Sequence, residues 1–575
     1  MPALIRDLLV FVLIVGGLAL PVAQWARPFQ PLERMTIGIA GAVAFLGAAT
    51  FALYASGAPF GCHWILAALA AAGGALTWRQ ARPWLRTREI GEALGGWLML
   101  VLWCTGGLLL IFSYSGGGWS GDWDEHYQRA LFFLYRWPLE YRFIGMYLLP
   151  ARPPLANLAT TGLMALTSDR YVQFQVFTML LNSLVFFPVL LFARRWNAGS
   201  RATALVALGL MLNPSVMENA TFAWTKLIAA FFTLTAAYFL VRDIRSPERI
   251  SVLVAAGAIA AGVLAHYSTV PWLLAFGMAW IFARGNPWSH SEFRGTVLRA
   301  AFVFGIPLLG WVSWSVAHYG WNGTLASNTS IAALEPASGH VFGSFPANLW
   351  SSIVPYPLRA PDLSFLAQAN RLGWLRDYAF SFYQVNLFGL VGLTGLLLLS
   401  RAWRGPRREG PVRLSAAERT FWMIGILAVI PLGIGVNGAV DAVGVAHICL
   451  QPLTLLALAC GLAWLGRELS AGLSRLAVAL LAAAVLADLT LGIGLQFAGE
   501  AGLLQRSDFP TPAAYVSSLT FAAQANYAGK LRLNQPFLHD LAGLPPVAVM
   551  AGMAGLLAAG VVLAWRLRAP GTTGR

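Results

Sequence analysis

The sequence predicts an all-α polytopic membrane protein with about 15 transmembrane helices. Three observations point there. Hydrophobic residues make up 58% of the 575-residue chain, and the mean hydropathy is +0.65; soluble domains hold about 45–50% apolar residues. Runs such as "LLVFVLIVGGLALPVAQW" and "ALLAAAVLADLTLGIGLQF" are long enough to cross a bilayer core as helices. Charged residues are only 11% of the chain and gather between the runs.

In chain order, spans are expected at 4–26, 35–57, 61–78, 91–113, 171–193, 200–213, 221–241, 250–265, 268–283, 297–318, 380–400, 419–436, 447–466, 474–497 and 544–566. The first is read as a span and not a cleaved signal peptide, because no small-residue cleavage site precedes a soluble domain. Fifteen crossings put the N-terminus outside and the C-terminus in the cytoplasm. The loops then assigned to the inside hold most of the 39 basic residues, including Arg79, Arg82, Arg86 and Arg88, then Arg242, Arg245 and Arg249. That is the positive-inside bias. It also accounts for the net charge of +15, so nucleic acid is not an expected partner. Cys62, Cys104, Cys449 and Cys460 lie in or beside apolar runs with no disulfide or zinc spacing. Arginine far outnumbers lysine, which is limited to Lys226 and Lys530. This suggests a GC-rich bacterial genome and hence a plasma membrane with outer loops facing the periplasm.

Three outer loops are long: 114–170, 319–379 and 498–543. None can carry a core of its own. The second, with "GSFPANLWSSIVPYPLRAPD", is rich in aromatics and reads as an ordered lid. The first contains "SGGGWSGDWDEHYQRALFFLYRW", residues 115–137, with Asp122, Asp124 and Glu125 in four positions. A helix from about Asp124 places Tyr127, Leu131, Leu134 and Phe133 along an apolar stripe suited to the membrane interface. Glu125 and Arg129 are an i, i+4 pair, so Glu125 is either a surface ion-pair partner or a functional acid. Asp124 has Gln128 at i+4 and no cation along its helix. It is either an N-cap or a functional carboxylate. Asp122 is a loop acid or, with Asp124, half of an Asp-x-Asp metal site compatible with Mg or Mn but requiring neither. No other cofactor is expected.

Arg129, Arg136, Arg142 and Arg152 follow on the side that is otherwise poor in cations. They suit headgroup contact or a phosphate site, because guanidinium forks match phosphate oxygens. Lys226 and His266, near expected outer helix ends, add cations to the same mouth. Asp122, Tyr127 and Glu218 are candidates for substrate contact.

"WDEHYQRALFF" followed by "RPPLANLATTGLMALTSDRYVQFQVFTMLLNSLVFFPVLLFARRW" resembles the start of a GT-C glycosyltransferase, in the branch of protein O-mannosyltransferases and the lipid A aminoarabinose transferase. Asp124-Glu125, Pro153-Pro154-Leu155 and Ala193-Arg194-Arg195 match that branch's acidic pair, Pro-Pro-Leu segment and basic inner loop in order. "ENATFAWTKLIAAFFTLTAAYFLVRD" and "AHICLQPLTLLALACGLAWL" resemble later segments, His447 standing where a basic residue precedes a proline. The resemblance covers residues 91–466 as a catalytic core, leaving 1–90 as accessory helices and 467–575 as a C-terminal part. It departs from the branch in the three extra leading spans, in His126 where a small residue is commoner, and in Glu218 with Lys226 near a middle span.

The resemblance implies transfer of a sugar from a polyprenyl-phosphate donor to an acceptor hydroxyl of a glycan, lipid or protein at the outer face. It implies inversion and an Asp general base, Asp124, with Glu125 beside it. Arg129, Arg136, Arg152, Lys226, His266 and His447 are the candidates for balancing the donor phosphate. The rivals are a lipid-linked saccharide flippase, an O-antigen-type ligase or polymerase, and an envelope scaffold. A flippase would be expected to show internal repeats and midplane ionisable groups; Asp488, inside a span, either hydrogen-bonds a neighbouring helix or is a group of that kind. "GIGVNG", at 433–438, matches a dinucleotide fingerprint without its strand–helix context. The sequons at Asn219, Asn322 and Asn328 are read as coincidental.

Overall fold

The computed structural model describes residues 2–111, 122–143, 147–196, 201–284, 291–325, 345–349, 414–435, 449–471 and 537–566, with scattered helical positions between 476 and 490. Among the described residues the regular structure is helical, apart from an isolated bridge between Phe143 and Tyr147. Nine helices there are long and apolar enough to cross a membrane.

The chain starts with α1 (Pro2–Trp25), α2 (Pro31–Ala55), α3 (Trp64–Leu85) and α4 (Arg88–Leu110). Pro31 opens α2 at a position where a helix has no use for its N–H, and Glu33 accepts from the Gln30 N–H at 3.0 Å. α1 and α3 approach so closely that a Cβ on Gly17 would sit 2.4 Å from the Ala70 carbonyl oxygen. Two short helices follow, α5 (Asp122–Tyr135) and α6 (Leu155–Met164). At 14 and 10 residues neither reaches across a bilayer. α7 (Tyr171–Ser183) and α8 (Phe186–Arg195) run on as one apolar span, wholly buried in the bundle.

Beyond them come α9 (Ala202–Met211), α10 (Pro214–Thr221), α11 (Lys226–Arg245), α12 (Arg249–Ala265), α13 (Val270–Arg284) and α14 (Ser291–Leu325), the last broken at Gly320. After them are α15 (Ala416–Gly435), α16 (Gln451–Ala471), α17 (Leu538–Ala542) and α18 (Pro546–Arg566).

Nine expected spans correspond to the nine long helices, and those at 200–213, 250–265 and 447–466 to shorter apolar ones. The span at 268–283 meets the 15-residue α13. The spans at 380–400 and, apart from scattered positions, 474–497 fall outside the described residues, as do most of the expected loops 319–379 and 498–543. The expected span at 221–241 instead starts at Lys226. α10 is a separate helix, and Ala223 takes φ 65°, a left-handed backbone that no α-helix can pass through.

The leading helices pack into the core and hold the first loop. The rings of Phe11 and Trp97 stack at 6.3 Å, and the Gln173 amide donates to Asp7 Oδ2 at 2.9 Å. At the far end of α2, Tyr54 lies edge-on to Phe133 at 5.1 Å. From the other side α17 docks on the same region, the Leu538 N–H donating to Gln175 Oε1 at 3.1 Å.

Candidate functional site

α5 is buried on every side from Asp124 to Leu134. The expected one-sided interfacial stripe is thus enclosed by protein, and the reason is the company it keeps. α2 supplies Tyr54, the Thr161 hydroxyl of α6 donates to the Ala130 carbonyl at 3.1 Å, and the Tyr127 hydroxyl donates to the Asp169 carbonyl at 2.8 Å. The loop after α5 folds back, with Phe143 and Tyr147 exchanging backbone hydrogen bonds.

The Glu125–Arg129 pair forms as its spacing predicts, at 2.8 Å, but in the interior and not at a surface: the two side chains are 0% and 1% exposed. Arg129 also donates to the carbonyls of Leu149 and Leu148 and lies 4.3 Å over the Phe143 ring. The second oxygen of Glu125 takes Arg152 at 3.3 Å. Burial alone would raise the Glu125 pKa, but Arg152 and Arg129 outweigh it and hold the carboxyl below the usual carboxylate range. Glu125 is therefore a fixed anion between two guanidinium groups.

Asp124, one residue earlier, is 2% exposed and in a different state. Among the described residues no cation lies within ion-pair distance of it. Gln128 Nε2 donates to Asp124 Oδ2 at 2.7 Å, and Gln128 Oε1 accepts from the Tyr141 hydroxyl at 3.2 Å. Burial pushes the carboxyl up to about 7, against the Gln128 hydrogen bond and with help from the neighbouring Glu125 charge. A carboxylate balanced near neutrality is suited to exchanging a proton.

Three cation candidates gather nearby. Arg152 lies beside Glu125 and 5.7 Å from the Tyr147 ring centroid. Lys226 opens α11 with its ammonium 3.4 Å over the Trp224 ring. His266 caps a short helical turn, its Nδ1 accepting from the Ser268 N–H at 3.1 Å, which leaves the proton on Nε2. Burial first, then the charges of Arg152 and Lys226 and the ring of His126, keep His266 neutral. These groups thus share one electrostatic neighbourhood, with His266 acting as a neutral donor. Glu218 on α10 belongs to it as well. Burial raises its pKa to about 8, partly offset by Lys226.

The remaining candidates are scattered. Arg136 takes φ 52° and turns to the carbonyls of Leu53 and Ala58, tying α5 to the end of α2. Asp122 is the first residue of α5. His447, Asn328 and Asp488 lie outside the described residues. Asn219 is 1% exposed, which bars that sequon from glycosylation in the folded protein.

No family model matches this chain, and no curated protein matches it. Among solved structures, ArnT from Cupriavidus metallidurans bound to undecaprenyl phosphate is similar with a TM-score of 0.44 and 16% identity, over 81% of this chain and 75% of that one. The apo state of the same ArnT gives 0.43 at the same identity and coverage. The archaeal oligosaccharyltransferase AglB from Archaeoglobus fulgidus, in complex with an inhibitory peptide and a dolichol-phosphate, gives 0.40 and 14% identity, over 77% and 61%.

Asn157 and Asn182, which the motifs did not single out, and His126, which stood out only as a departure from the branch, shape the site. His126 is 3% exposed, with the Asn157 side chain beside its ring, yet among the described residues His126 Nδ1 and Asn157 Nδ2 meet no hydrogen-bond partner. Burial keeps His126 neutral. Asn182, in the middle of the α7–α8 span, donates to the carbonyls of Trp224 at 2.6 Å and Asn219 at 3.2 Å. It also accepts from the Ile228 N–H at 3.0 Å, pinning the turn that delivers Lys226. An amide inside so apolar a run was the available signal. Among the described residues no three His, Cys, Asp or Glu groups converge as a metal site.

Proposed function

We propose that this protein transfers a sugar from a polyprenyl-phosphate donor to an acceptor hydroxyl at the outer face of a bacterial plasma membrane, with inversion. The observation that carries the proposal is the division of labour between adjacent acids. Glu125 is locked between Arg129 and Arg152, while Asp124 is buried, has no cationic partner among the described residues and is balanced near pH 7. As the acceptor oxygen bonds to the anomeric carbon, its proton passes to Asp124. The bond from that carbon to the phosphate oxygen breaks, and its electron pair leaves with the polyprenyl phosphate. Arg152 and Lys226 balance the charge that develops there, and His266 Nε2–H supplies a hydrogen bond. Glu125 acts through Arg152, whose guanidinium it orients. Arg129 is a scaffold for the loop at Leu148–Leu149 and is itself withheld from the donor.

The test is transfer from a polyprenyl-phosphate sugar by the purified protein and its Asp124→Asn variant in matched liposomes. The variant should insert and fold as the parent does and lose transfer. Full activity would remove Asp124 from the chemistry.

A further inference from the structure

The opposite end of the bundle holds a second polar cavity that the proposed transfer does not use. α4 and α11 each run from one end to the other; with 23 and 20 residues they span roughly 30–35 Å. At the end away from α5 is a cavity of about 360 Å³, within the size range of small-ligand sites. Its walls carry Arg194 and Arg195 from the last turn of α8, Arg242 and Arg245 from the last turn of α11, and the carboxylates of Glu33 and Glu89. Four guanidinium groups thus face two acids.

Each arginine is held in place by an acid. Arg194 donates to Glu89 at 2.6 Å, and Arg242 Nε lies 3.2 Å from Glu33 Oε1, which also takes the Tyr238 hydroxyl at 2.8 Å. Arg195 and Arg245 share Glu418, each through a single nitrogen. Glu418, Glu92 and Glu248, which balance the rest of this charge, do not line the cavity. A guanidinium carries five N–H donors in a rigid fork. Arg195 and Arg245 are therefore oriented by one bond each, with further donors at the cavity wall. The only aliphatic wall residues are Leu32 and Leu191, so the space suits a polar group and not an acyl chain.

We propose that this cavity binds a phosphate ester anion, held bidentately by Arg195 and Arg245, with Arg242, whose Nε and Nη1 already meet Glu33 and Glu248, adding a single donor nitrogen. Fork geometry, and a wall that presents four guanidinium groups to two carboxylates, both select phosphate over a neutral ligand. At a span end, the phosphate comes either from an anionic phospholipid headgroup or from a soluble ester.

The experiment uses the full chain. One arm is native mass spectrometry in phosphatidylcholine nanodiscs titrated with phosphatidylglycerol. The other is titration of inorganic phosphate into the same phosphatidylcholine nanodiscs. Arg242→Gln/Arg245→Gln is compared with Arg79→Gln/Arg82→Gln on α3, whose side chains are exposed and do not line the cavity. Binding in either arm, weakened about tenfold or more by the cavity variant and not by the α3 variant, supports the site. The responding arm names the source. Arg245→Lys keeps the charge without the fork and serves if the double variant does not fold; it too should lose affinity. Binding in neither arm, or equal losses in both variants, overturns the proposal and leaves an ion-pair network alone.

Discussion

Asp124 at one end of the bundle and Glu418 at the other are both almost fully buried carboxylates, 2% and 0% exposed, in quite different settings. Glu418 holds Arg195 and Arg245 and caps the start of its own helix by accepting from the Ser415 N–H at 3.0 Å. Among the described residues Asp124 has one side-chain donor, the neutral Gln128. Burying an acid with two guanidinium partners costs less than burying it unpaired, because the mutual attraction repays part of the lost hydration. Burying an acid beside a neutral amide is costly, and the cost shows as a carboxyl raised to about 7. The end with complete pairing latches helices together. The end with one acid left over can take up a proton.

The sharpest way to break that contrast is to neutralise both acids. Asp124→Asn should lower transfer by about 10²–10⁴-fold, the usual contribution of a general base. It should not lower thermal stability. The folded-state carboxyl is raised above its ordinary value, so its contribution to stability is present below about pH 4 and lost as pH rises through about 7. The Asn variant should therefore be no less stable than the parent at pH 8. Glu418→Gln should do the reverse, leaving Arg195 and Arg245 without their shared anion, lowering the melting temperature and sparing the turnover of the protein that remains folded. Loss of transfer without loss of stability in the Glu418 variant would erase the distinction.

The next test is inside the α5 cluster. Arg129→Met removes one partner of a fully buried pair, a change that typically costs about 3–5 kcal/mol. The expected readout is loss of folded protein in the membrane, with the remaining fraction keeping its KM for donor. Arg152→Ala touches the same acid from a more open position, its side chain 16% exposed. It should raise the donor KM roughly 10-fold or more, as loss of a charge-assisted phosphate contact would, with a smaller effect on folding. A KM change in the Arg129 variant and none in the Arg152 variant would exchange their roles.

How much of this was legible in the sequence follows from contact range. The Glu125–Arg129 pair is set by helical spacing and appears as the spacing predicts, and the same spacing puts Gln128 against Asp124. The long apolar helices were legible because a bilayer core demands about 20 apolar residues in a row. The burial of α5 was not, since amphipathic spacing shows which face is apolar and not what covers the other. Tyr54, Thr161 and Asp169, which enclose it, lie on three separate segments. Nor could spacing show that Arg152 shares Glu125, 27 residues away, or that Arg136 turns aside to the end of α2. The arginines at the other end of the bundle were legible as a charge bias. Their convergence on Glu33, Glu89 and Glu418 depends on pairings up to 223 residues apart.

The finest probe of the contrast is pH. Asp124 accepts a proton only when ionised, so transfer should rise with pH through a limb near 7, the value that burial sets. Gln128 donates to the ionised form and holds that value down. Gln128→Leu removes the donor and should move the limb to higher pH by up to about one unit, a few-fold effect at pH 7 that vanishes at pH 9. Glu125, kept ionised by its two arginines, should add no limb between pH 5 and 9. A profile that is flat across neutrality in the parent, or a Gln128→Leu variant whose limb moves to lower pH, would mean that the group taking the proton is not Asp124.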